Sequence, residues 1–187
     1  SNALNYNQYN IIEDGSCIYP IHQNVWVSPN GNNDNLSGLS FDNPFKTIEY
    51  ALWRIAQNQD NPYNIHLMEG TYSPSTNGEL FPIEFKSNVN LIGAGEELTI
   101  LNAEQTDRVI TMENCDNNFI SDLTITGGYM ELIDLYIFGS GSGGGMRLDS
   151  SNPTLTNVTI SNNTADGWGG GMHLDNSSNP TLNNVTI

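Results

Sequence analysis

Arg147, Asp149, His173 and Asp175 are the residues of this chain whose types and spacing invite chemistry. They sit in two near-copies of one string, Gly143-Gly144-Gly145-Met146-Arg147-Leu148-Asp149 and, 26 residues later, Gly169-Gly170-Gly171-Met172-His173-Leu174-Asp175. If the copies are stacked strands, alternation turns Met146 and Leu148 inward and Arg147 and Asp149 outward. Aligning Ile65, Ile110, Met146 and Met172 as equivalent inward positions gives an outward column of His66, Thr111, Arg147 and His173. Two residues further on, the outward column reads Met68, Glu113, Asp149 and Asp175. Glu113, Asp149 and Asp175 then lie one coil apart, about 4.8 Å. Carboxylates that close repel unless they share a proton or hold a cation.

Three kinds of role suit such a group. Asp149 and Asp175 could be the acid and base of glycoside hydrolysis. Alternatively the carboxylates hold Ca²⁺ through hard oxygen ligands, and Arg147 acts as base on a uronate carbon, which is lyase chemistry. In the third role the aspartates simply begin the turns leading to Asn152-Pro153 and Asn179-Pro180, where Asp bonds its own backbone. The aspartates obey the repeat, whereas catalytic residues tend to break one, so the structural role carries most weight. His66, Arg147 and His173 remain candidates for substrate contact, with Glu113 and Arg147 beside the two aspartates as candidates for catalysis. Ser28 to Asn35 has the composition of a Ca²⁺ loop but neither the order of an EF-hand nor its terminal Glu. No cofactor is expected, and Ca²⁺ at Asp149 and Asp175 is the metal alternative.

The elements that position these residues follow from the repeat. Asn152-Pro153-Thr154-Leu155-Thr156-Asn157-Val158-Thr159-Ile160 returns 27 residues later as Asn179 to Ile187. Strands this short cannot stand alone and must stack coil on coil. Asn tolerates the left-handed turns between them, and its amides can bond along a column. A unit of about 22–27 residues without leucine-rich spacing predicts an all-β fold, a right-handed parallel β-helix or β-solenoid. Between Ile110 and Met146 the step is 36 residues, so about ten are inserted. They fall in the apolar stretch 129–138, which predicts an extra strand or flap packed on the flank. Upstream, Asp42-Asn43-Pro44 predicts a helix start, and Phe45, Ile48, Leu52 and Ile55 give it one apolar face, suited to capping the first coil.

Composition narrows the classes. The 187 residues carry 5 Lys plus Arg against 21 Asp plus Glu, a net charge of −16, which argues against nucleic acid and anionic lipid as partners. Charged residues are 14%, and 28 Asn supply much of the polar surface instead. No apolar run approaches the roughly 20 residues of a membrane span, so no membrane insertion is expected. Cys17 and Cys115 are 98 residues apart in no metal motif, and no bond between them is expected. Cys115 reads as a small buried filler.

Two resemblances carry further. The strings VWVSPNG (25–31), NPFKTIEYAL (43–52), IHLMEGTY (65–72), VNLIGAGEELTILNA (89–103), RVITMENC (108–115) and ISDLTITGG (120–128) are similar to the start of β-helix proteins of the pectin-lyase-like superfamily. That resemblance implies the fold over 25–187, with 25–57 as N-terminal cap and 64–187 as coils. It also implies an outward face on which a sugar chain lies in the enzymes, although the superfamily includes adhesins and inert stalks. The Arg-containing strings of its lyases are not recognisable here. Residues 4–20, through Asp14-Gly15-Ser16-Cys17-Ile18-Tyr19-Pro20, resemble a DGSCxYP repeat of secreted Bacteroidetes-type surface proteins, which implies a secreted or cell-surface home. Ser1-Asn2-Ala3 reads as an expression-tag scar. Ile187 falls inside a repeat, so a cut from a longer protein is expected, with end-to-end self-association at the open coil. The function expected is a surface-displayed scaffold or adhesin-like module that contacts polysaccharide or another cell-surface component without chemistry. The alternative is a carbohydrate-active enzyme, a polysaccharide lyase or glycoside hydrolase, using the outward face.

Overall fold

The computed structural model describes residues 24–34, 37–55, 62–132 and 141–187. Residues 1–3, the 4–20 string with Cys17, positions 56–57 of the expected cap and positions 133–138 of the apolar insertion lie outside the described residues.

Among the described residues every paired strand is parallel and there is one helix, and the chain winds as the expected all-β solenoid. One long sheet runs β1 (Asn24–Val27), β2 (Tyr63–Leu67), β5 (Val89–Ile92), β8 (Phe119–Thr126), β11 (Thr154–Ser161) and β14 (Thr181–Thr186). Its second wing starts with β3 (Gly70–Tyr72) and β6 (Thr99–Asn102), and β6 then pairs with the far half of β8. A short sheet stacks β4 (Ile83–Glu84), β7 (Ile110–Glu113), β10 (Met146–Asp149) and β13 (Met172–Asp175). The inward positions make apolar columns: Ile65, Leu91, Ile120 and Leu155 in the long sheet and Ile83, Ile110 and Met146 in the short one are all at most 1% exposed.

The bend in the long sheet has a chemical cause. Asp122, Asn157 and Asn184 take left-handed backbone, with φ of 57°, 52° and 51°. Each is skipped in the strand register, so the strand turns there and continues along the second wing. The amide of Asn157 donates to Asp122 Oδ1 at 2.9 Å, and that of Asn184 donates to Asn157 Oδ1 at 3.0 Å. These are the amide columns that the Asn-rich composition predicts.

The helix α1 (Ile48–Arg54) begins later than Pro44. Phe45 is held in a parallel bridge to Val27, and Asn43 in a bridge to Ser40, so neither can be helical. Thr47 is the N-cap, its Oγ1 accepting from the Tyr50 N–H at 3.2 Å. Phe45, Ile48, Leu52 and Ile55 are all buried, as their spacing predicts. The helix packs on β1 and β4, where it covers the ends of both sheets. The start of the insertion, β9 (Tyr129–Met130), pairs with β12 (Thr164–Ala165) in a separate two-stranded sheet. Cys115 is free and 2% exposed, and burial pushes its thiol pKa up.

Candidate functional site

The short sheet builds the predicted columns from β7 onward. Thr111, Arg147 and His173 are register partners, and so are Glu113, Asp149 and Asp175. At the head of the file the alignment needs correction. Ile83, not Ile65, pairs with Ile110, so Glu84 and not His66 precedes Thr111. Ile65, His66 and their strand β2 belong to the long sheet, between β1 and β5. Both sheets alternate in the same way, so periodicity alone cannot assign a strand to its wall.

Arg147 occupies the centre of the carboxylate group. Its Nη1 lies 3.5 Å from Glu113 Oε1, and its Nη2 lies 3.5 Å from Asp149 Oδ2 and 3.6 Å from Asp175 Oδ2. One cation thus screens three anions that neighbouring rungs force together. Asp149 Oδ1 also accepts from the Asn176 amide at 2.7 Å and the Ser150 hydroxyl at 3.1 Å. The Asn176 bond first, then Ser150 and Arg147, hold the Asp149 carboxyl below the usual carboxylate range against the opposing effect of burial. Asp175 Oδ1 accepts from the backbone N–H of Asn176 at 3.0 Å. Both aspartates are therefore bonded into the turn that follows them.

This geometry limits the chemistry available. A general acid needs a pKa near the working pH, and Asp149 is displaced the other way. A guanidinium keeps its proton, so Arg147 suits charge compensation and not proton abstraction. Among the described residues no three His, Cys, Asp or Glu side chains are gathered to hold a metal ion. In the Asn-rich loop, Asn33 Oδ1 accepts from the Lys46 and Thr47 N–H groups at 2.8 and 3.2 Å, and Asp34 Oδ1 accepts from the Ser37 N–H at 2.9 Å. Those oxygens serve the turn before α1.

The other column has a different character. Thr111 Oγ1, Arg147 Nε and His173 Nε2 are buried, and none has a hydrogen-bond partner among the described residues. Three register neighbours with unmet polar atoms are unusual, because such atoms cost on the order of 1–3 kcal/mol each. The His173 ring is stacked on Trp168 at 6.3 Å and 19°, and Trp168 is 57% exposed. An aromatic plate thus stands beside an underbonded polar file.

His66 lies on the other wall beside an aromatic residue that the sequence reading passed over. Trp26 is its register partner, and the two rings stack at 5.3 Å and 23°. The signal was present: Val25-Trp26-Val27 and Ile65-His66-Leu67 each place one ring outward between two buried aliphatics. No helix among the described residues is long and apolar enough to cross a membrane. Residues 30–187 match a family described as "Protein of unknown function (DUF1565)". The comparison with curated proteins gives no match.

Proposed function

The chain belongs to the DUF1565 family, and from that premise we propose that it is a secreted or surface-displayed β-helix module that contacts polysaccharide without transforming it. The observation that carries the reading is the Arg147 clamp, which binds Glu113, Asp149 and Asp175 into one ion-paired, turn-forming cluster. Paired carboxylates do hydrolytic work when their environments push their pKa values apart so that one keeps a proton. Here the hydrogen bonds at Asp149 favour the ionised form. The exposed Trp168 ring, stacked beside His173, offers an aromatic face to a hydroxyl-rich polymer. The export-type string and the pectin-lyase-like pattern of the sequence support the setting.

The test is incubation with a panel of neutral and acidic polysaccharides, with and without Ca²⁺. Retention of the protein on at least one immobilised polymer is expected, with no reducing ends and no unsaturated-product absorbance above the blank. Product that disappears in Asp149→Asn or Asp175→Asn overturns the reading in favour of a lyase or hydrolase.

A further inference from the structure

A cleft of about 390 Å³ opens on the outward face of β1 and β2, lined by Trp26, Phe41, His66, Met68, Glu69 and Ile92 among others. Its volume is within the usual range for small-molecule sites, about 300–1,000 Å³. Two of its walls are aromatic. The stacked Trp26 and His66 rings form one, and Phe41, 60% exposed, stands in the loop that Gly38 and Asn43 close through a 2.7 Å backbone bond.

An amide ladder on the neighbouring outward positions of the same strands fixes the His66 ring. The Phe119 N–H donates to Asn90 Oδ1 at 3.0 Å, which orients the Asn90 side chain. The Asn90 amide donates to Asn64 Oδ1 at 2.9 Å, and the Asn64 amide donates to Asn24 Oδ1 at 3.1 Å. Asn24 Oδ1 can only accept, and His66 Nε2 is 3.0 Å from it, so Nε2 carries the ring proton. Nδ1 is left as an acceptor with no partner among the described residues. Burial lowers the ring's pKa from the ordinary imidazole value, which favours the neutral form.

The lining residues include one carboxylate, Glu69, and no Lys or Arg. Aromatic walls with the free imidazole acceptor at their edge suit a ligand that has an apolar face and hydroxyl donors. An anionic ligand finds no cation in the cleft and meets a chain of net charge −16. We propose that the Trp26–Phe41–His66 cleft binds a neutral saccharide, one sugar ring lying on the aromatic plates and a hydroxyl donating to His66 Nδ1. The assignment rests on the polysaccharide-contacting reading and gives it a place and a ligand class.

The test titrates the full chain with hexasaccharides of β-glucan, xylan, mannan and polygalacturonate, following tryptophan fluorescence. A neutral hexasaccharide is expected to bind, with affinity falling about tenfold or more in Phe41→Ala and in His66→Phe, which keeps a ring but loses Nδ1. Leu80→Ala, an exposed apolar position outside the cleft, is expected to keep wild-type affinity. Neutral binding that survives both cleft variants but is lost in Trp168→Ala overturns this site and leaves the broader reading standing. Preference for polygalacturonate overturns the neutral class. Failure of every hexasaccharide overturns both readings. A concentration-dependent dimer in sedimentation that Phe41→Ala abolishes assigns the cleft to a second copy and overturns the saccharide.

Discussion

Gly144→Ala is expected to lower the unfolding free energy by about 3 kcal/mol or more, the upper end of what overpacking costs. A Cβ on Gly144 would lie 2.0 Å from Thr164 O and 2.9 Å from Gly170 O. Both are backbone atoms fixed by pairing, since the Thr164 N–H donates to Gly128 O and Gly170 O accepts from the Gly145 N–H, each at 2.9 Å. Neither can swing away as the end of a side chain can. The triple glycine is thus the point where successive coils touch backbone to backbone. Gly143, with φ of 72°, makes the corner, and Gly144 and Gly145 admit the next coil. The matched control is Gly170→Ala, the same position one repeat later, where the nearest obstruction is Asn163 O at 2.9 Å. Its cost is expected near 1 kcal/mol. Urea denaturation followed by circular dichroism reads both variants; equal, small losses would show that the coils can part to admit a methyl group.

Glu79 carries the other large effect. It is fully buried, and its Oε2 and Oε1 accept from the Ile48 and Glu49 N–H groups at 2.8 and 3.0 Å. With Thr47 taking the Tyr50 N–H, the first donors of α1 are all met, two of them by a residue about thirty positions away in sequence. Burial pushes the Glu79 pKa from 4.5 up to about 7, outweighing the two N–H bonds and the Asn77 amide that favour the ionised form. Because the folded pKa is raised, the proton stabilises the fold below pH 4.5, and that contribution is lost as pH rises through 7. The shift corresponds to about 3 kcal/mol. Wild type is therefore expected to lose about 3 kcal/mol more than Glu79→Gln between pH 4 and 8, since the amide does not titrate. Parallel stability curves for the two proteins over that range would contradict a buried, titrating carboxyl. Glu79→Ala is expected to be destabilised by roughly 3 kcal/mol at pH 5, because it strands two helix donors.

How much of this was legible depended on whether the cause was periodic. Met146, Leu148, Val158 and Ile160 were placed inside by alternation, and all four are at most 2% exposed. The repeated GGGMxLD string forced β10 and β13 into register, and with it the Asp149–Asp175 neighbourhood. The first coil was misread because Ile65 and Ile83 sit in equally alternating strands, and only pairing separates their walls. The helix start is set from outside its own residues, by Phe45 bridging to Val27 and by Glu79 reaching back from the loop between β3 and β4. The Arg147 clamp was half visible: the spacing showed three carboxylates in need of a cation, and the cation proved to be the neighbouring side chain. Trp26 and Phe41 escaped notice because the cleft they line is assembled from four separate stretches of chain.

The most direct test of the clamp is the titration of the Asp149 carboxyl by carbon-detected NMR in wild type and in Arg147→Met. The account predicts a wild-type midpoint below the ordinary carboxylate range and a rise on loss of the guanidinium, with Asn176 and Ser150 still bonded to Oδ1. A wild-type Asp149 that keeps its proton to near-neutral pH would be the signature of a general acid, and would contradict the claim that this cluster holds the solenoid's turns and performs no chemistry.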